Sequence, residues 1–327
     1  MTTNTAAQPQ KIESVSILTP IEIKHPLTLA QIIVLQLAEL QTHYATVLVE
    51  TSVEAIHKMR VTTRRLQASL DLIKFDDDTA GVGEVRKQLR TLRQMLSEVR
   101  NYDVFLTLLE QEAATRKAAK ESFESLTIEL QKRRAKKAKE MCKYLKKHSI
   151  KKIAKALEFK SYKPEKASLR HIADEQQIAL HAAGRLEKRL AEFQQLAIQI
   201  DPSNHPEEIH QVRIAAKRLR YLLEIAADMG YGQSLTALNW LRALQDRIGD
   251  WHDLEAMEDE VINIVAQRGF VKAHLSESSL ILLAAVHLQK KKESLIRRLF
   301  PLKVNASVSS ASLRIINAIR NDELPGA

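Results

Sequence analysis

Ile209-His210-Gln-Val-Arg213-Ile-Ala-Ala-Lys217-Arg218-Leu219-Arg220 repeats the pattern of Ile56-His57-Lys58-Met-Arg60-Val-Thr-Thr-Arg64-Arg65-Leu66, 153 positions earlier. Placed on a wheel of 3.6 residues per turn, each copy separates into two faces. Ile56, Met59, Leu66, Leu70 and Ile73 gather on one side of the first copy. His57, Arg60 and Arg64 gather on the other, with Arg65 at the flank. In the second copy Ile209, Val212, Leu219 and Leu223 oppose His210, Arg213 and Lys217. The apolar stripes predict two helices docked on a core. The cationic stripes are open to two readings, a solvated face or an anion-binding face. A solvated face mixes signs for i,i+4 support. No carboxylate interrupts either stripe, which favours the anion. Seven residues of helix extend about 10.5 Å, enough to follow several units of a polymeric anion.

The repetition continues downstream. Leu89-Arg-Thr-Leu92-Arg93 through Leu96, Arg100-Asn101-Tyr102-Asp103 follows the first copy, and Leu238 through Leu241, Ile248, Gly249 and His252-Asp253 follows the second. The distance from the histidine to Leu96 or Ile248 differs by one residue between them. An internal duplication of this kind predicts an all-α protein of two pseudo-symmetric helical bundles, residues 26–160 and 165–300.

Composition fits that class. The 327 residues include only 8 Gly and 8 Pro, and 45% are hydrophobic, enough for a sizeable core. Alternating β-branched runs are absent, and 3.6-period segments fill nearly everything. Breaks are expected at 76–83, at Tyr162-Lys-Pro164, at 201–206 and at Gly230-Tyr231-Gly232, with Pro206 in the first turn of the second motif helix. Residues 1–25 read as a mobile arm. Residues 301–327 read as a tail in which Leu313–Arg320 fits a short amphipathic helix.

The single Cys142 excludes an intramolecular disulfide and fits a reducing compartment, as a buried structural thiol. The N-terminus has no apolar signal region, and no uninterrupted apolar run approaches a membrane span. A cytoplasmic protein without a membrane partner is the expectation.

Charge is concentrated. Residues 131–160 carry 13 Lys/Arg against two Glu, a net +11 in a chain of +10. Lys132, Lys136, Lys139, Lys143 and Lys147 share one face of a helix, with Ala138, Met141, Cys142 and Leu145 opposite. Anion binding in line with the motif helices, nucleic acid and an acidic membrane all suit such a face. The small apolar residues opposite disfavour the membrane, and anion binding ranks first.

The paired His-x-x-Arg-[Val/Ile]-x-x-[Arg/Lys]-Arg-Leu segments, with Arg100-Asn-Tyr-Asp103 and Leu244-Gln-Asp-Arg-Ile-Gly249, resemble the CHAD family, the conserved-histidine α-helical domain. The resemblance spans roughly residues 26–300. It implies two helical bundles enclosing a basic groove or pore, binding of inorganic polyphosphate, and association with polyphosphate granules. Some relatives carry an N-terminal triphosphatase-type barrel. With residues 1–25 before the helices, such a barrel is not expected here. Two positions depart from the family pattern: Gln67 stands where a basic residue is common, and Asn101 where an aspartate is. Arg220 supplies an extra cation in the second half.

The polyphosphate-binding candidates are therefore His57, Lys58, Arg60, Arg64, Arg65, Arg93, Arg100, Lys132, Lys136, Lys139, Lys143, His210, Arg213, Lys217, Arg218 and Arg220. Linear polyphosphate carries about one charge per unit and no bases, so its recognition needs many cationic donors at helical spacing and no stacking platforms. Aromatics make up 5% of the chain, and Tyr102, Trp240 and Trp251 sit in apolar-patterned helices, where core packing suits them. Nucleic acid is a weak, salt-sensitive competitor.

No metal motif, phosphate loop or nucleophile–base pair accompanies the histidines, so neither catalysis nor a cofactor is expected. His252-Asp253 is a commonplace pair, and Asp76-Asp77-Asp78 suits helix capping. A metal-dependent phosphohydrolase acting on polyphosphate is the enzyme alternative, and nucleic-acid binding the other.

Overall fold

The computed structural model describes residues 26–73, 80–115, 123–157, 159–161, 168–169, 175–200, 206–232, 234–300 and 302–321. Among these, α1 (Leu29–Val49), α2 (Val53–Asp71), α3 (Ala80–Thr115), α4 (Glu124–Lys147) and α5 (Ile150–Ala156) precede a short antiparallel pair, β1 (Phe159–Ser161) and β2 (Ser168–Leu169). Then follow α6 (Glu175–Gln199), α7 (Pro206–Asp228), α8 (Leu235–Val265), α9 (Arg268–Ala273), α10 (Leu275–Leu299) and α11 (Ala306–Arg320). The fold is all-α, with the minor β pairing as the departure from the sequence expectation. The expected arm at residues 1–25, the Asp76–Asp78 caps and the breaks at 162–164 and 201–205 lie outside the described residues. The break expected at 76–83 is shorter than anticipated, because α3 already includes Gly81 and Gly83.

Each motif helix is the middle member of its own three-helix arrangement. α2 packs between α1 and α3, and α7 between α6 and α8. Ile56, Met59, Leu66 and Leu70 of α2 are buried in a core shared with α1, α3, α4 and α5. Ile209, Val212, Leu219 and Leu223 of α7 are buried in a second core shared with α6, α8 and α11. The sequence's apolar stripes thus become interior contacts in both places. Beyond these two cores, α3 and α8 run on to a third. There Phe105, Leu109, Met257, Val261 and Ile264 meet Phe123, Leu126 and Leu130 and, from α10, Ile281 and Leu288.

Local chemistry fixes the ends. Thr28 and Gln31 form a reciprocal capping box on α1, and Ser52 caps α2 by accepting from the Ala55 N–H. Arg86 donates to the Leu70 and Ile73 carbonyls at the end of α2. α7 ends in a Schellman turn, in which the Tyr231 N–H reaches the Ala226 carbonyl across Gly230 at φ +90°. A side chain at Gly230 would also strike Pro26, whose neighbour Leu27 donates to the Asp228 carbonyl. The start of α1 is thereby pinned to the end of α7.

α1 has the length and apolar composition to cross a membrane. Ile32, Ile33, Leu37, Leu40 and Val47 place it instead in the first core. The C-terminal segment is more than a tail. α11 begins at an Asn305 cap and buries Val308, Ala311, Ile315, Ile316 and Ile319 against α6, α7 and α8. Trp251 is fully buried, Trp240 packs edge-on against Phe193, and Tyr102 donates to Glu260. Cys142 is half-buried against the first core, and burial raises its thiol pKa.

Candidate functional site: an arginine-lined cavity between the motif helices

α2 and α7 pack against one another, as α3 and α8 do. The faces that the apolar stripes leave over therefore turn toward a common space. That space is a cavity of about 820 Å³. α2 contributes Arg60, Arg64, Gln67 and Asp71, and α3 contributes Arg90, Arg93, Gln94, Ser97, Arg100 and Asn101. Arg185 and Arg189 come from α6, His210, Arg213, Lys217, Arg218 and Tyr221 from α7, and His252 and Asp253 from α8. Ten lysine and arginine side chains thus face two carboxylates.

The motif backbones are held firmly behind these side chains. Thr62 and Thr63 on α2, and their counterparts Ala215 and Ala216 on α7, are buried, so both helices approach their neighbours closely. The Thr63 hydroxyl donates to the Met59 carbonyl at 2.7 Å, and the buried Gln245 amide donates to the Ala216 carbonyl at 3.0 Å. Gln245 belongs to the Leu244-Gln-Asp-Arg-Ile-Gly249 segment of the sequence motif. Its role is to tie α8 to α7 rather than to meet a ligand.

The charges inside are crowded and poorly compensated. Arg218 and Arg189 share Glu192 as a partner. Among the described residues, Arg60, Arg64, Arg93, Arg100, Arg213 and Lys217 have no ion pair. Burial, then the neighbouring charges of Arg64, Arg100 and Arg213, push Arg60 down to about 9. Burial and the charges of Arg213, Arg64 and Arg60 push Lys217 down to about 6. Arg213 and Arg93 are lowered mainly by burial. His210 is lowered by burial, Arg213 and Lys217, and His252 is pushed down to about 4 by burial, Arg213, His210 and Lys217. The His210 and His252 rings stand 5.3 Å apart. The Nε atoms of Arg60 and Arg213 and the Nδ1 of His252 are buried without a hydrogen-bond partner. Orphaned buried polar groups are costly, at about 1–3 kcal/mol each, and here all three belong to cavity-lining residues, the two arginine Nε–H groups being donors. Such a surface is built for an anion with many acceptor oxygens.

Of the sequence candidates, Arg60, Arg64, Arg93, Arg100, His210, Arg213, Lys217 and Arg218 line the cavity. His57 lies outside the lining but within the field of Arg60, Arg100 and Arg64, which together with burial lower its pKa. Lys58 is exposed and pairs with Glu54 at 3.2 Å. Arg65 turns to a smaller cavity of about 350 Å³ beside α1, which it shares with Glu39, Glu224 and Arg242. Arg220 pairs with Glu224 at 3.0 Å and lies over the Tyr221 ring, so the extra cation of the second half serves as an internal tie. Lys132, Lys136, Lys139 and Lys143 are exposed on α4, away from the cavity.

Three arginines, a histidine and both carboxylates of the lining were not among the candidates: Arg90, Arg185, Arg189, His252, Asp71 and Asp253. Arg90 was available from periodicity, since it shares a face with Arg93, Ser97 and Arg100. Arg185 and Arg189 are one turn apart on a helix without a motif, and only the docking of α6 on α7 brings them in. Asp103 is a further motif residue with a structural task. It is buried and accepts from Arg134, which also donates to the Thr51 carbonyl.

A model of the CHAD domain matches residues 31–261. The chain belongs to the CHAD domain family. Its fold is similar to the crystal structure of the CHAD domain from the plant Ricinus communis, with a TM-score of 0.61 at 20% identity, covering 86% of this chain and 94% of that one. PptA from Streptomyces chartreusis is also similar, with a TM-score of 0.55 at 17% identity, covering 84% and 99%. At these identities the likeness is one of fold. No curated protein matches the chain. Within this CHAD domain, no group of three or more His, Cys, Asp and Glu side chains among the described residues is placed to hold a metal ion.

Proposed function

We propose that this CHAD protein binds inorganic polyphosphate in the cavity between α2 and α7 and does not turn it over. Membership of the family supports a polyphosphate-related role. The observation that carries the reading is the crowding of ten lysine and arginine side chains against two carboxylates, with Arg60, Arg213 and Lys217 half-buried and without an ion pair among the described residues. Phosphate oxygens meet that need: they accept from guanidinium forks and neutralise the mutual repulsion. Release of counterions from the polyanion adds a salt-dependent driving force. The lining offers Tyr221 but no array of exposed aromatic faces, which weighs against stacked bases. The same reading places the protein in the cytoplasm at polyphosphate granules, without a cofactor.

The decisive experiment is a titration with long polyphosphate, duplex DNA and single-stranded RNA at physiological salt, alongside phosphate release with Mg²⁺ or Mn²⁺. Polyphosphate is expected to bind at least about tenfold more tightly, a margin of 1.4 kcal/mol, with no phosphate released. Equal affinity for the nucleic acids, or steady phosphate release, overturns the reading.

A further inference from the structure

The most basic window of the sequence, residues 131–160, contributes no side chain to the cavity lining. Most of it is α4, whose lysines lie on the side turned away from the core. Ala138, Met141 and Leu145 of α4 are buried in the first core, and at 3.6 residues per turn Lys132, Lys136, Lys139 and Lys143 fall on the opposite face. All four are exposed. α4 itself lies behind α3 as seen from the cavity. Arg90, Arg93, Ser97 and Arg100 of α3 face the cavity, whereas its Glu98 and Asp103 pair with Lys137 and Arg134 of α4.

The two basic surfaces also differ in chemistry. The cavity cations are arginines but for Lys217. On α4 the arginines are consumed internally, Arg133 by Glu129 and Glu260 and Arg134 by Asp103, and the exposed cations are lysines. Lys132 has one partner, Glu129 at 3.9 Å. Lys136, Lys139 and Lys143 have none among the described residues. Like charges one turn apart destabilise a helix by a few tenths of a kcal/mol per pair, and among the described residues no carboxylate pairs with Lys136, Lys139 or Lys143 to offset that. A polyanion would. Hydrated lysine point charges suit loose, exchangeable phosphate contacts rather than a fixed bidentate grip. Tyr144 is the aromatic residue of α4, and it is turned inward, donating to the Gln88 carbonyl and stacking on His148. The ridge therefore offers no platform for bases.

We propose that the α4 lysine ridge is a second polyphosphate-binding surface facing away from the cavity, so that one molecule of the protein joins two polyphosphate segments. This rests on the cavity being a polyphosphate site. Lys132 to Lys147 extends about 22 Å along the helix, long enough to hold a stretch of chain. Short chains occupy the cavity alone. Long chains reach both surfaces of different molecules and are cross-linked, with avidity set by effective concentration.

The test replaces Lys132, Lys136, Lys139 and Lys143 together by Gln in the full chain, a change that keeps helix propensity nearly constant. Tripolyphosphate affinity is expected to stay within about twofold of the parent, well under 1.4 kcal/mol. With long polyphosphate, the parent is expected to give a rise in light scattering at substoichiometric protein. The variant is expected to lose that rise and about three units of salt-dependence slope. Unchanged scattering, a parallel loss of tripolyphosphate binding, or a parent ridge that prefers duplex DNA to polyphosphate overturns the proposal. An Arg60→Glu/Arg213→Glu variant separates the two readings. If it still binds tripolyphosphate, the cavity assignment has failed; if it does not, a negative scattering result counts against the ridge alone.

Discussion

Lys217 on α7 and Arg60 on α2 line one cavity from the two motif helices, and the charge of Arg60 is among those that hold Lys217 at about 6. Near neutral pH the free protein therefore keeps this lysine largely deprotonated. His210 and His252, both lowered, stand neutral beside it. A polyanion reverses each of these shifts by favouring the charged forms.

Proton uptake follows from that arrangement. A group whose pKa rises on binding makes affinity fall as pH climbs from its free value to its bound one, by up to about a decade per pH unit. For Lys217 that window opens near 6. Polyphosphate Kd is expected to weaken at least about tenfold between pH 6 and 8. Calorimetry in buffers of different ionisation enthalpy should record about one proton or more taken up at pH 7. Affinity independent of pH with no proton uptake would contradict the cavity electrostatics.

Lys217→Met separates the cost of the site from its use. The unfolded chain keeps the lysine protonated to about 10.5, whereas the folded chain does so only to about 6. Between these values the unfolded state binds more protons, so stability rises with pH, and the full penalty is felt below pH 6. The variant lacks the penalty. It is expected to be more stable than the parent by about 1–3 kcal/mol at pH 6, with the gap closing as pH rises, and to bind polyphosphate more weakly. Thermal denaturation across pH reads both. A destabilised variant at pH 6 would mean that the lysine is satisfied in the folded state.

Arg60→Glu with Arg213→Glu places two carboxylates among the remaining cations. Each lost charge-assisted contact is worth about 1.5–3 kcal/mol, so polyphosphate affinity should fall by at least about a hundredfold. Helicity by circular dichroism should be unchanged, and the melting temperature unchanged or higher, because repulsion is relieved. Retained affinity would remove the motif helices from the site.

The two motif helices were legible because one stretch of sequence carried two signals, an apolar stripe at 3.6 spacing and a cationic stripe opposite it. Ile56, Met59 and Leu66, and Ile209, Val212 and Leu219, went where the wheel sent them. Arg60, Arg64, Arg213 and Lys217 followed from the same geometry. The wheel gives a direction from one helix axis and says nothing of what lies there. Hence the wheel alone does not separate the α4 lysines, equally basic and equally periodic, from the cations of the motif helices, although α3 stands between. Arg65 and Arg220, at the flanks of their stripes, met Glu224 and its neighbours instead. Arg185, Arg189 and His252 reach the cavity only through the packing of α6 and α8 on α7, a long-range fact with no local trace.

The segment after Phe300 tests how far the second bundle extends. The sequence reads as a tail in which Leu313–Arg320 fits a short amphipathic helix, yet α11 starts at Ala306 and its Ile316 is 1% exposed, packed in the core that holds Trp251 and Ile248. Removing its side chain leaves a cavity beneath the motif helix. Ile316→Ala is therefore expected to cost about 2–5 kcal/mol. Leu313 on the same helix is 50% exposed, and Leu313→Ala should stay within about 0.5 kcal/mol. Denaturant titrations of the two variants make the comparison, because helix propensity shifts little in either. Both variants matching the parent would return α11 to the status of a tail. A loss confined to Ile316→Ala makes it a structural member of the bundle that presents His210, Arg213 and Lys217.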